Sequence, residues 1–283
     1  MSFIAILGAG TLGGTLASTL ARHDRVRDLR LIDAASGIAN GKALDIRQAG
    51  PVEQFSTRIT ATTHVDAVVG AKVIVVAGPA ETPNAEWQYE AALKLVERVS
   101  CLNRRAPIVC AGASHGLLVE QGIARLGIDH AQILGSAPGA LVAGLRALIA
   151  LEAGTSPAEI SINLFGVPPA HPVVAWSGAS VGGCLLEERL TPTQLTRLRA
   201  HVERLWPPGP YALASSAAAV IEAIVDGESR QSFTCFVGNR RGSTRGATSA
   251  NVTLGSNGVK SEKRPHLSRL EQVQLENALV EKG

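Results

Sequence analysis

Phe3-Ile4-Ala5-Ile6-Leu7-Gly8-Ala9-Gly10-Thr11-Leu12-Gly13-Gly14 is the stretch that decides the fold. A short apolar run enters a glycine loop. A helical pattern follows in Leu16, Ala17, Leu20 and Ala21, and a second apolar run, Leu29-Arg30-Leu31-Ile32, ends at Asp33. The order is strand, glycine loop, helix, strand, acid, which is the frame of a dinucleotide-binding unit. Gly8 makes the tight turn, Gly10 lets backbone approach a pyrophosphate, and Gly13 lets the helix sit close to the strand. Thr11 and Leu12 head the helix, whose first N–H groups would receive the pyrophosphate. Asp33 lies where a carboxylate accepts hydrogen bonds from the adenosine ribose and repels a 2′-phosphate. The expected cofactor is therefore NAD rather than NADP. A scaffold with a vestigial cofactor site would show the same pattern.

Composition narrows the rest. With 283 residues, 46% hydrophobic and 18% charged, the chain can bury a large core. A net charge of +3 is too small to argue for nucleic acid, and Arg240-Arg241 and Lys260 to Arg264 read as basic surface loops. The N-terminus enters a strand at once, with no basic leader, and no apolar stretch reaches membrane-span length. Cys101, Cys110, Cys184 and Cys235 are scattered, with neither CxxC nor metal spacing, so core or surface thiols in a reducing cytoplasm are expected, and no metal.

Strands are predicted at 3–7, 29–33, 57–61, 72–77, 107–111 and 132–134, and helices at 11–22, 37–48, 87–103, 115–126 and 138–153. The alternation argues for a doubly wound parallel α/β sheet. Val73 to Ala77 is continuously apolar, as in a strand covered on both faces. The second half changes character. Strands are predicted at 160–165, 173–176, 231–238 and 250–254, and helices at 191–205, 211–226 and 268–281. The predicted division is residues 1–136, a dinucleotide-binding domain, and 137–283, a mixed α+β domain.

Further segments carry a resemblance. Leu31-Ile32-Asp33 with Gly41-Lys42-Ala43-Leu44-Asp45-Ile46 resembles the second strand and following helix of the lactate/malate dehydrogenases. Val73 to Gly78 resembles their fourth strand and the start of their mobile loop. Leu134-Gly135, Arg146 and Ala150 to Gly154 resemble their inter-domain segment. Tyr211-Ala212, Val220 to Ile224, Leu254 to Val259, Leu267 and Glu271 continue the match in order. The resemblance implies a Rossmann domain plus a substrate domain, with NAD held by Gly8, Gly10, Thr11, Leu12, Gly13, Asp33 and Gly78. It also implies a homodimer or homotetramer, with subunit contacts through the helices at 37–48 and 211–226.

The family's reaction passes a hydride between nicotinamide and a 2-hydroxy or 2-keto acid, and it needs a proton carrier and a guanidinium clamp. Laid on this chain, the loop arginines fall on Glu81 and at Trp87. The asparagine after the fifth strand becomes Gly112-Ala113-Ser114. The Asp-x-x-Arg pair falls on Leu141 and Gly144, and His-Gly-Asp falls on Pro168-Pro169-Ala170. Trp206-Pro207-Pro208-Gly209 stands where the family has a glycine-rich helical turn. A keto acid is expected to meet an apolar floor and a repulsive Glu81. The catalytic residue is thus unassigned. His171, three residues past Pro168, and His115, after the fifth strand, are the candidates, and loop-end exposure or helix-start capping is the plainer role of each. Ser114-His115 lacks a nucleophile elbow. Glu81 and Glu86 offer carboxylates to a cationic substrate, with solvated loop charge the plainer reading, and Trp87 and Tyr89 read as packing the loop down. Three readings result: an NAD-binding homologue that has lost the reaction, a dehydrogenase redirected to a substrate without an anchoring carboxylate, or an ordinary lactate or malate dehydrogenase in a different register.

Overall fold

The protein is described by a computed structural model covering residues 3–82, 84–238, 246–263 and 266–280. Its elements run β1 (Ile4–Leu7), α1 (Thr11–His23), β2 (Asp28–Ile32), α2 (Ser36–Glu53), β3 (Arg58–Thr62), β4 (Val73–Val76), α3 (Tyr89–Leu102), β5 (Ile108–Cys110), α4 (Gly116–Ala124), β6 (Ile133–Gly135) and α5 (Ala137–Ala153). Then come β7 (Ile160–Ser161), β8 (Leu164–Val167), β9 (His171–Val174), β10 (Ser180–Val181), β11 (Cys184–Leu185), α6 (Leu186–Arg189), α7 (Pro192–His201), α8 (Pro210–Asp226), β12 (Glu228–Gly238), β13 (Ala247–Gly255), β14 (Gly258–Glu262) and α9 (Arg269–Val280).

The large sheet has the order β3-β2-β1-β4-β5-β6-β12-β13-β8-β9, with β14 on β13. Its first six strands are parallel. That order is the doubly wound one, in which the chain reverses direction between β1 and β4 and leaves a crevice at their carboxyl ends. β1 and β4 are buried at every residue because helices cover both faces. β12 then joins β6 antiparallel, Phe236 opposite Gly135, and carries the sheet into the second half.

The main core draws on Phe3 to Ala140 and again on Leu213 to Val259. α8 supplies Leu213, Ala217, Ile221 and Ile224 and lies against α1 and α5. The described residues on the two sides of position 136 therefore share one core, and a smaller second core gathers Leu141 to Val202.

Several boundaries move. Residues 160–165 were expected as one strand. They divide into β7, in a three-stranded sheet with β10 and β11, and β8, in the main sheet. The break falls at Asn163, whose side chain accepts from Asn251 and whose carbonyl accepts from Ala175. α2 runs to Glu53, past the predicted 48, with Pro51 in its last turn. β14 was not anticipated; Gly258, at φ +102°, turns the chain into it. Cys110 and Cys235 are buried free thiols, and burial pushes the Cys235 thiol up to about 12; Cys101 and Cys184 are exposed and free. No described helix is long and apolar enough to cross a membrane. Arg240, Arg241, Arg264 and the last residue of the predicted terminal helix, 281, lie outside the described residues.

Candidate functional site

The glycine loop sits at the carboxyl end of β1. Gly8 is at φ +98°, and a Cβ there would lie 2.1 Å from the Gly78 carbonyl oxygen. At Gly13 a Cβ would lie 2.0 Å from the Gly8 carbonyl oxygen, so α1 is seated on the loop as expected. Gly10 differs from the expectation. The space beside it is met by the Pro79 and Gly78 carbonyl oxygens, 2.7 and 2.8 Å from an added Cβ, and its N–H donates to Gly78 at 3.0 Å. The close approach there is between two stretches of chain.

Gly10 caps α1 without a side chain, so the first-turn N–H groups of Thr11, Leu12 and Gly13, which have no intrahelical partner, are left for an external acceptor. Asp33 is buried, 5% exposed. Its carboxylate accepts from the N–H groups of Ala9 (2.7 Å), Ala80 (2.9 Å) and Ala35 (2.9 Å). Of roughly four acceptor positions on a carboxylate, three are used, and one remains for a ribose hydroxyl. Lys42, on α2, donates through Nζ to the Ala9 and Gly10 carbonyls at 2.6 and 2.9 Å. Burial pulls its pKa down, and Asp33 partly restores it. The lysine of the Gly41-Lys42-Ala43-Leu44-Asp45 segment thus holds the glycine loop, a role its sequence context does not reveal.

A cover segment begins at Gly78. A Cβ on Gly78 would lie 1.9 Å from the Ala85 carbonyl oxygen. Glu86 accepts from the N–H of Ala113 (2.7 Å), the N–H of Ser114 (2.8 Å) and the hydroxyl of Ser114 (2.6 Å). Its carboxyl occupies the space beside Gly112, 2.7 Å from where a Cβ would be. His115 is 1% exposed. Its Nδ1 accepts from the Gly112 N–H at 3.0 Å, which leaves Nε2–H to donate to the Trp87 carbonyl at 2.8 Å. Burial pushes the His115 pKa down, against the pull of Glu86 and the bond to Trp87. So Glu86 is not a solvated loop charge. Trp87 is half-buried as expected, but Tyr89 is 74% exposed and does not pack the loop down.

Beyond the cover lies a cleft of about 680 Å³. Its walls are Pro168, Pro169, Ala170, Leu117, Trp206 and Phe236, with Glu86 and Ser114 on the cover side. Trp206 and Phe236 meet edge to face at 6.2 Å. Among the described residues, no lysine, arginine or histidine lines it. Glu81 is exposed and does not line it either; the carboxylate on its wall belongs to Glu86. Leu141 is 2% exposed in the second core, and Gly144 packs on Leu205. Pro168 to Ala170 form the turn of the β8–β9 hairpin, whose register pairs Val167 with His171.

Neither candidate histidine enters the cleft. His171 is exposed and lines a separate cavity of about 720 Å³ with Trp176, Arg199 and Glu271. His115 is locked under the cover. Ser136 was missed by sequence reading. It follows β6, its N–H donates to the Cys110 carbonyl, and its fully buried hydroxyl has no partner. Ser136 stands at the carboxyl ends of β5 and β6 and lines neither of the two large cavities. No group of three or more His, Cys, Asp or Glu suited to a metal occurs among the described residues.

Comparison with known proteins locates this arrangement. The family model described as lactate/malate dehydrogenase, NAD binding domain, matches residues 3–86. A malate dehydrogenase of Xanthobacter autotrophicus is 31% identical over 253 residues, covering 80% of this chain and 77% of that protein. A malate dehydrogenase of Thermomicrobium roseum is 27% identical over 276 residues, covering 91% and 88%. Among solved structures, the malate dehydrogenase of Salinibacter ruber superposes with a TM-score of 0.88 at 22% identity, covering 99% of this chain and 94% of that one. The lactate dehydrogenase of Cryptosporidium parvum, complexed with lactic acid and nicotinamide adenine dinucleotide, gives 0.87 at 22% identity, covering 99% and 95%.

Proposed function

The chain belongs to the lactate/malate dehydrogenase family, and we propose that it keeps the family's dinucleotide-binding end while having lost the family's 2-hydroxy-acid chemistry. One observation carries this reading: the cleft wall offers, among the described residues, neither a guanidinium to clamp a carboxylate nor an imidazole to move a proton. The positions that would hold them have other physical uses. Leu141 fills a core, Gly144 lets Leu205 pack, and Pro168 turns a hairpin. An anionic acid would meet apolar surface and the carboxylate of Glu86, and desolvating its charge there would go uncompensated.

The cofactor end fits NAD. The N–H groups of Thr11, Leu12 and Gly13 would receive the pyrophosphate, and Gly8, Gly10 and Gly78 shape the loop beside it. Asp33 has one acceptor position left for the ribose and disfavours a 2′-phosphate. When bound, NAD supplies a hydride acceptor, and NADH a donor; the chain's part is to hold and orient it.

A second reading is supported by the size and apolar character of the cleft: an NAD-dependent oxidoreductase whose alcohol or carbonyl substrate lacks an anchoring carboxylate. The test is a titration with NADH followed by tryptophan fluorescence, alongside turnover assays with pyruvate, oxaloacetate and a panel of neutral alcohols. Binding without turnover is expected. Oxidation of a neutral alcohol would favour the second reading. Turnover of pyruvate or oxaloacetate would overturn both.

A further inference from the structure

We propose that the described residues of the cover, 78–82 and 84–88, are self-latched, with Glu86 acting as an internal ligand that holds them shut without any bound acid. Four observations converge. Glu86 spends its carboxylate on the Ala113 N–H, the Ser114 N–H and the Ser114 hydroxyl, all within 2.8 Å. Gly112 has no side chain, and its backbone (φ −74°, ψ 154°) is one that any residue adopts. Its smallness is therefore needed for the Glu86 carboxyl, whose atoms lie 2.7 Å from where a Cβ would be. His115 ties the next residue, donating to the Trp87 carbonyl while its other nitrogen is held by Gly112. At the base, Trp87 donates to the Ala77 carbonyl at 3.2 Å, the Ala85 carbonyl packs onto Gly78, and Ala80 donates to Asp33.

Charge-assisted bonds of this kind are the stronger ones, and three of them occupy most of the acceptor positions of the Glu86 carboxylate. The latch places the protein's own carboxylate on the cleft wall, where a ligand acid would otherwise be drawn to the same donors. It leaves an apolar cavity beside Trp206 and Phe236 for a neutral or cationic ligand. The inference does not rest on the dinucleotide being retained.

Hydrogen–deuterium exchange of the unliganded full chain tests it. In the native protein, peptides spanning 78–88 are expected to exchange slowly, and adding NADH or oxaloacetate is expected to change that little. Glu86→Gln, and separately Gly112→Ala, whose methyl displaces the carboxyl, are expected to speed exchange of that segment by about tenfold or more. Peptides from β1 and β4 should keep their protection, which separates opening of the cover from loss of the fold. If Gly112→Ala fails to fold, because its methyl also presses on His115 Cε1 at 2.8 Å, Ser114→Ala with Glu86→Gln supplies the comparison. The proposal is overturned if the native segment exchanges like an unprotected loop and slows only on adding NADH or oxaloacetate. It is equally overturned if Glu86→Gln leaves the segment's exchange unchanged.

Discussion

Asp33 was singled out in the sequence as a ribose acceptor, and the structure gives it a second task. Its carboxylate ties Ala9 of the glycine loop, Ala80 of the cover and Ala35 ahead of α2 to one buried point. Asp33→Ala should thus do two things. It leaves three backbone N–H groups unpaired, which should lower stability by about 2–4 kcal/mol in urea unfolding, and it should weaken NADH binding by about tenfold or more. If stability holds while binding falls, the knitting role is wrong; if binding is unchanged, the cofactor role is wrong. His115 makes a pH prediction. Its folded pKa lies below 6.5, because burial disfavours the imidazolium. Facing it are Glu86, which favours the charged form, the Gly112 N–H, which opposes it, and the Trp87 carbonyl, which takes the Nε2 proton. As pH falls below 6.5 the unfolded chain takes the proton first, so stability is lost from there downward. One such group contributes a slope of at most about 1.4 kcal/mol per pH unit. Urea midpoints between about pH 7.5 and 5.5 should fall more steeply for the native protein than for His115→Gln. Parallel profiles would refute the assignment.

Among elements, α1 shows why adjacent glycines are not equivalent. A methyl on Gly13 would sit 2.0 Å from the Gly8 carbonyl oxygen and 3.5 Å from Ala77 Cβ, both fixed by the sheet. One on Gly14 meets Lys42 Cδ at 3.0 Å, a flexible stem that need give by only a few tenths of an ångström while Nζ keeps its bonds. Gly13→Ala should cost about 3 kcal/mol or more and abolish NADH binding, whereas Gly14→Ala should stay within about 1 kcal/mol of the native protein. Thermal unfolding of the pair checks this, and equal losses would show that the packing of α1 is not the constraint. The tasks of Gly8 and Gly13 could be read in the sequence because strand, loop and helix lie within the twenty residues from Ile4 to His23 and each constrains the next. The buried parallel strands were legible for a similar reason: Val73 to Val76 is apolar throughout, and only a doubly covered strand tolerates that. The division of 160–165 between two sheets was not legible, since it depends on an Asn163–Asn251 bond across the fold. The cover was not legible either. Glu86 and Gly112 are ordinary residues in separate segments, and only the folded chain shows that one lacks a side chain where the other needs room.

At the level of the whole molecule, one sheet and one main core run from β3 to β13, so the two halves cannot unfold independently without exposing α8's apolar face. Isolated surface apolar residues need no explanation. Here, however, Ile38 and Leu44 are about half exposed on α2, and Tyr211 is 78% exposed at the start of α8. α2 and α8 are the helices through which the family resemblance implies subunit contacts, and α1 packs against both. We therefore expect a homo-oligomer, at least a dimer of the 29.4 kDa chain, in size-exclusion chromatography with light scattering. Leu44→Glu combined with Tyr211→Glu places a carboxylate on each helix and should shift the mass to that of one chain. NADH binding should survive, because neither residue touches the glycine loop, Asp33 or the cleft. A native protein that runs as a monomer at micromolar concentration would sink the expectation. An oligomer indifferent to both substitutions would move the contact away from α2 and α8, leaving their exposed apolar residues as ordinary surface.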